Sequence, residues 1–196
     1  MKEITVRNLV LGMLGTNCWL LRNPGTGEML IVDPADSPDQ IIQEVGAMEG
    51  RPAAVLLTHG HYDHMLAARA VSGRYGIPVY AHEEEQEVLR DAQKNLSAAW
   101  STPYTMEADR TVKEGDILSL AGYEIRVMHT PGHTKGSVCY YLPEAEVLLS
   151  GDTLFCESYG RYDFPTSSGR DLAASVKRLL RELPENVKVY PGQNES

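Results

Sequence analysis

The chain is poor in cysteine, in positive charge and in long apolar runs. Cys18, Cys139 and Cys156 are its three cysteines, and no C-x-x-C occurs in 196 residues. An odd, widely spaced set reads as reduced and mostly buried thiols, not as a disulfide framework. Lys and Arg number 18 against 27 Asp and Glu, for a net charge of −9. A nucleic-acid backbone demands a basic face, so a nucleic-acid partner is not expected. An anionic small molecule needs only local positive charge and stays open. No apolar run approaches membrane-spanning length, which argues against a membrane partner. Residues 1–7, Met-Lys-Glu-Ile-Thr-Val-Arg, carry charges and no apolar stretch, so no signal peptide is expected and a reducing cytoplasm is the predicted location. Neither G-x-S-x-G nor H-E-x-x-H is present, which sets aside a serine-hydrolase elbow and a helical zinc protease. No linker or low-complexity segment interrupts the chain. Hydrophobic residues make up 42%, enough for one globular domain spanning 1–196.

What the chain does have is concentrated at Thr58-His59-Gly60-His61-Tyr62-Asp63-His64. The apolar run before it, 53–57, reads as a buried strand, and 65–71 reads as a helix. The cluster therefore falls on a tight strand-to-helix loop, where an open sheet presents its ligands. Four metal-capable groups on one turn would be costly to pack without a cation. Imidazoles with a carboxylate suit zinc, iron or manganese better than calcium.

Around this loop the pattern predicts strands at 3–11, 17–21, 29–32, 77–80, 117–120, 123–128, 137–142, 147–150 and 187–190. Short connections between the first three imply antiparallel pairing. A helix is expected from Ser37-Pro38-Asp39, with Ser37 as the cap and Pro38 in the first turn. Further helices are expected at 82–87 and 168–182, the latter burying Leu172, Val176, Leu179, Leu180 and Leu183. Residues 91–110 look irregular, with Trp100 and Tyr104 either anchoring a loop or lining a cleft. Strands then helices, given twice, suggest an α/β (α+β) fold with two sheets face to face and helices outside.

Two more candidate ligands follow strands: His133 in His129-Thr130-Pro131-Gly132-His133-Thr134, and Asp152 in Ser150-Gly151-Asp152-Thr153. With 58–64, with G-R-Y-D-F-P at 160–165 and with V-Y-P-G at 189–192, these motifs resemble the metallo-β-lactamase fold superfamily, and within it the glyoxalase II-like hydrolases. The resemblance spans most of the chain and implies an αββα four-layer sandwich with two mixed sheets and a dinuclear site at one edge. It implies His59, His61 and His133 as ligands of one metal, Asp63 and His64 as ligands of a second, and Asp152 as the bridge. Asp33 would orient a ligand histidine from behind. The expected cofactor is Zn2+, one or two per chain, with iron or manganese as alternatives. The expected reaction is hydrolysis of a small thioester or ester by a metal-bound hydroxide, with Asp63 holding the nucleophile or shuttling its proton.

Relatives usually carry His after V-Y-P-G, where this chain has Gln193. A carboxamide is the weaker ligand, so a weakly held second ion is expected, with Gln193 contacting metal or a water at most. The C-terminal helical domain of longer glyoxalase II enzymes has no counterpart in these residues, which weighs against glutathione-thioester recognition. Arg161 and Tyr162 are candidate substrate contacts, Arg161 having the alternative of pairing with Asp163. His82 is expected to start a helix, and His129 to fix the loop that carries His133. Three alternatives to thioester hydrolysis stand. One is a mononuclear iron persulfide dioxygenase using His59, His133 and Asp152. The others are a lactonase and an impaired metal-binding member.

Overall fold

The computed structural model describes residues 1–194. Its first sheet has the order β1-β2-β3-β4-β5-β6. Strands β1 (Thr5–Leu11), β2 (Thr16–Arg22) and β3 (Glu28–Val32) pair antiparallel in succession, as their short connections require. Helix α1 (Pro38–Ala47) then crosses over, and β4 (Arg51–Leu56) pairs parallel to β3. A single helical turn, α2 (Tyr62–Met65), and α3 (Ala68–Tyr75) lead to β5 (Val79–His82), parallel to β4. The short turns α4 (Gln86–Leu89) and α5 (Ser97–Trp100) precede the edge strand β6 (Arg110–Val112).

The second sheet has the order β11-β10-β9-β8-β7. Strands β7 (Ile117–Leu120), β8 (Tyr123–His129), β9 (Val138–Leu142) and β10 (Val147–Gly151) run antiparallel. Helix α6 (Gly169–Glu182) crosses over to β11 (Lys188–Pro191), parallel to β10.

Alternation along the strands sorts the apolar residues into layers. Leu21, Leu30, Val32 and Leu56 face Tyr123, Ile125, Val127, Tyr140 and Leu149 between the sheets. Their neighbours Leu20, Met29, Ile31 and Val55 pack outward under Ile41 and Val45 of α1 and Val71 of α3. On the far side Met128, Cys139, Tyr141 and Leu148 pack against Leu179 of α6. The result is the expected αββα sandwich. Strands β3 and β4, buried on both faces, read as unbroken apolar runs for that reason.

Several local expectations need correction. Ser37 sits in the left-handed region at φ 49° and makes no side-chain cap; its carbonyl accepts from Gln40 and Ile41 instead. The helix expected at 65–71 is two pieces, so Asp63 and His64 ride on α2 and not on a loop. The segment expected to be helical from 82 begins as a 3-10 turn at Glu83–Glu85. Leu180 is 71% exposed; Ser175 takes the buried position and donates to the Pro131 carbonyl at 2.7 Å. Among the described residues no helix is long and apolar enough to cross a membrane.

Candidate metal centre

The ends of β3, β4, β8, β10 and β11 meet at one edge of the sandwich. Asp33 follows β3, His59 and His61 follow β4, His133 lies in the loop after β8, and Asp152 follows β10. The backbone stitches this edge across the two sheets: the Val138 N–H donates to the Thr58 carbonyl at 2.9 Å, and the Tyr140 hydroxyl to the Leu57 carbonyl at 2.7 Å.

Five of the six expected ligands converge as two overlapping triads that share His59. His59, His61 and His133 bring three nitrogens within 4.8 Å of one another, as His59, His64 and Asp152 bring two nitrogens and an oxygen. Asp152 stands between them, with Oδ2 at 3.4 Å from His133 Nε2 and Oδ1 at 3.4 Å from His64 Nε2. Asp63 Oδ2 is also 3.4 Å from His64 Nε2.

The hydrogen bonds fix which nitrogen of each ring is free. Asp33 is buried, and its Oδ1 accepts the Thr58 N–H at 2.8 Å. Its Oδ2 accepts the Thr58 hydroxyl at 2.7 Å and His64 Nδ1 at 2.9 Å. His64 therefore carries its proton on Nδ1. Thr58 Oγ1, its own proton spent on Asp33, accepts from His59 Nδ1 at 3.1 Å. His133 Nδ1 donates to the Arg161 carbonyl at 2.8 Å. Each of these rings thus aims a lone pair on Nε2 into the centre. His61 Nδ1 faces His133 Nε2 at 3.0 Å, two basic nitrogens that a proton or a cation must separate.

The electrostatics agree for His59 and His61, while without a cation the carboxylates around His64 favour its charged form. Burial, then the neighbouring imidazoles, hold His59 well below the usual range; burial and His133 do the same for His61. Both are neutral at neutral pH, as ligands must be. Burial also pulls His64 down, but Asp152, Asp63 and Asp33 together reverse this and leave it well above the usual range. Burial raises Asp152, yet His64, His133 and His61 bring it down to about 2. His59 Nε2, His61 Nε2, His64 Nε2 and Asp152 Oδ1 are buried with no hydrogen-bond partner. The lone pairs on His59 Nε2, His64 Nε2 and Asp152 Oδ1, with that on the His61 nitrogen facing His133, fit a divalent metal such as zinc, iron or manganese.

Gln193 meets this centre through Asp63. Its Nε2 donates to Asp63 Oδ2 at 3.1 Å, which also accepts the Thr16 hydroxyl at 2.8 Å. Gly192 explains the glycine of V-Y-P-G. A Cβ there would overlap Asp152 Oδ1 and lie 2.7 Å from His64 Cε1.

A cavity of about 250 Å³ opens onto the centre, walled by Leu14, Leu96, Trp100, Phe155 and Phe164, with His61, Asp63, His133, Asp152, Arg161 and Gln193 as its polar part. Arg161 is in place, but its guanidinium is held by Asp163 at 2.9 and 2.7 Å and lies 4.4 Å over the Phe164 ring. Its backbone carbonyl, which orients His133, is the part the sequence could not reveal. Tyr162 is corrected: it lines a separate groove with Tyr159, Ala173 and Val176, not this cavity. Sequence reasoning missed Leu14, Leu96, Phe155 and Phe164. Phe164 stood in the G-R-Y-D-F-P motif and was the available signal.

His82 and His129 stay out of the centre, as expected. His82 Nδ1 accepts the Glu84 N–H at 3.1 Å, and His129 Nε2 donates to the Lys135 carbonyl at 2.9 Å. Their rings stack at 4.1 Å and 16°, and with Glu84 they bring three further ligand-type atoms within 4.8 Å of one another, apart from the centre.

The comparisons agree with this geometry. Residues 11–192 match the model of the metallo-beta-lactamase superfamily, and the chain belongs to that superfamily. It is 32% identical to a probable metallo-hydrolase of Bacillus subtilis (strain 168), over 95% of this chain and 88% of that one. The crystal structure of BLEG-1 B3 metallo-beta-lactamase superposes with a TM-score of 0.92 at 35% identity, covering 97% of this chain and 92% of that chain. TTHA1623 in a di-iron-bound form gives 0.85 at 34% identity, covering 97% and 93%. Family and site together place the protein among the metallo-hydrolases.

Proposed function

We propose that the protein hydrolyses a small thioester or ester in a metal-dependent, glyoxalase II-like reaction. The observation that carries this is the convergence of His59, His61, His64, His133 and Asp152 on one buried centre beneath an open cavity, with His59 Nε2, His64 Nε2 and Asp152 Oδ1 left without a hydrogen-bond partner. A metal ion bound there would polarise a carbonyl and bring a coordinated water to a pKa of about 7. The protein's own groups do the rest. Asp63, anchored by Thr16 and Gln193, lines the cavity with a carboxylate positioned to hold a water or move its proton. The apolar walls receive the acyl part. With Asp163 neutralising Arg161, an uncharged ester, thioester or lactone suits the cavity better than a polyanionic conjugate. The three free cysteines fit a reducing compartment, and we infer a cytoplasmic location.

Elemental analysis of the purified protein, followed by a panel of thioesters, esters and lactones with and without chelator, tests the reading. Turnover that chelation abolishes and added metal restores is expected. Metal-loaded protein that cleaves no member of the panel refutes it.

One observation favours a second reading. Gln193 occupies Asp63 Oδ2 with a hydrogen bond and so weakens the second metal position, which suits a single iron on His59, His133 and Asp152. Iron content with oxygen uptake on glutathione persulfide would support a persulfide dioxygenase. Gln193→His separates the two: a gain of a second tightly held ion and of hydrolytic rate favours the hydrolase.

A further inference from the structure

Three adjacent glutamates, Glu83, Glu84 and Glu85, read in the sequence as a solvated helix start. The first two do face outward, while Glu85 is fully buried. No lysine or arginine pairs with it among the described residues. Its Oε1 accepts the Gly60 N–H at 2.7 Å and the Thr134 hydroxyl at 2.8 Å, and its Oε2 accepts the Gly136 N–H at 2.9 Å. Gly60 lies between His59 and His61, and Thr134 follows His133. One carboxylate therefore holds the two histidine-bearing loops, which come from different sheets and are far apart in sequence.

The neighbourhood is built around this carboxylate. A Cβ on Gly136 would lie 2.5 Å from Glu85 Oε2 and 2.6 Å from its backbone nitrogen, so only glycine lets the loop close on it. Thr134 is itself held, its N–H donating to Ser137 Oγ at 3.0 Å and its hydroxyl lying 2.7 Å from the same atom. Two backbone amides and a hydroxyl replace the water an ionised carboxylate gives up on burial. Such a group is costly to keep, and a merely apolar filler would serve packing as well.

We propose that Glu85 is a positioning residue for the metal centre: it sets the separation of His61 from His133, and hence the bite of the His59–His61–His133 triad. This rests on the reading that the triad holds a metal. Carboxylate symmetry is the essential property, since both oxygens must accept. Glutamine offers one acceptor and one donor, and the donor meets either the Gly136 N–H or the Gly60 N–H and Thr134 hydroxyl. One loop must then withdraw.

The test is metal binding by the full chain at pH 8, measured by competition with a chromophoric chelator, and the visible spectrum of the cobalt-substituted protein. Glu85→Gln is expected to weaken the tighter ion about tenfold or more and to alter the cobalt bands. Leu179→Ala, a cavity beneath α6 remote from the site, should lower the melting temperature and leave affinity and spectrum unchanged. If Glu85→Gln does not fold, Thr134→Val removes a single bond to the carboxylate and should weaken metal binding several-fold. Wild-type affinity and an unchanged spectrum in folded Glu85→Gln, or in Thr134→Val where the first variant does not fold, would overturn the proposal. Wild-type protein that binds no metal would instead sink the hydrolase reading itself.

Discussion

Replacing Asp33 by asparagine isolates one oxygen atom. Asp33 has φ 49°, a region that asparagine tolerates well, so the backbone need not move. The amide keeps Oδ1 as acceptor for the Thr58 N–H. At the other position an NH2 replaces the oxygen that accepts the Thr58 hydroxyl and His64 Nδ1–H. Donor then faces donor. The cheapest relief is for His64 to move its proton to Nε2. Nδ1 then accepts from the new carboxamide nitrogen, and the lone pair aimed at Asp63 and Asp152 disappears. Thr58 must also turn its hydroxyl, which disturbs the bond that orients His59. Loss of a partner behind a ligand histidine costs about 10- to 100-fold in metal affinity, or about 1.4 to 2.7 kcal/mol. The effect should fall hardest on the ion held by His64. Asp33→Ala should lose about 1 to 2 kcal/mol more in fold stability, because alanine resists a left-handed backbone. Chelator competition with metal counted per chain, beside thermal melts, reads both. Asp33→Asn that keeps wild-type affinity for every ion would refute the tautomer argument.

Gly192→Ala should abolish tight metal binding while far-UV circular dichroism stays native, since its methyl would enter the space between Asp152 and His64; unchanged stoichiometry would contradict the packing. Burial pushes Cys139 up to about 12 and Cys18 higher still, whereas Cys156 is exposed. One thiol per chain should react rapidly with a disulfide reagent in the native state, and three after unfolding. Burial also raises Glu85 from 4.5 to about 7, so between those values the native state binds the proton that the unfolded chain has lost. Stability of the metal-free protein should therefore fall as pH rises through that window, by on the order of 3 kcal/mol. Urea titrations at pH 5.5 and 7.5 should show this slope reduced in Glu85→Gln; an equal slope in both proteins would assign it elsewhere.

The layers of the sandwich were legible because burial on both faces leaves unbroken apolar runs at β3 and β4, and punctuation marks their ends. The metal centre was legible because His59, His61, His64, His133 and Asp152 each follow such a run or lie in the turn after one. Elsewhere tertiary contacts decide. Ser37 has the chemistry of a cap, but its backbone is left-handed at φ 49° and its side chain makes no capping bond. Tyr162 and Phe164 are two residues apart in one loop, and only the path of that loop puts Phe164 over the histidines and Tyr162 beside α6. Strand β6 has three residues, too few for a periodic signal. Glu85 was hidden by its acidic neighbours, since local sequence carries no information about which of three carboxylates meets Gly60 and Gly136.

The stitched edge between the sheets has a consequence for assembly. His59, His61, Asp63 and His64 all belong to the half that ends at β6, while His133 and Asp152 belong to the half that begins at β7. Neither piece of a chain severed between those strands would own a complete coordination sphere. Metal should therefore act as a clasp between such fragments, and their recombination should depend on its concentration.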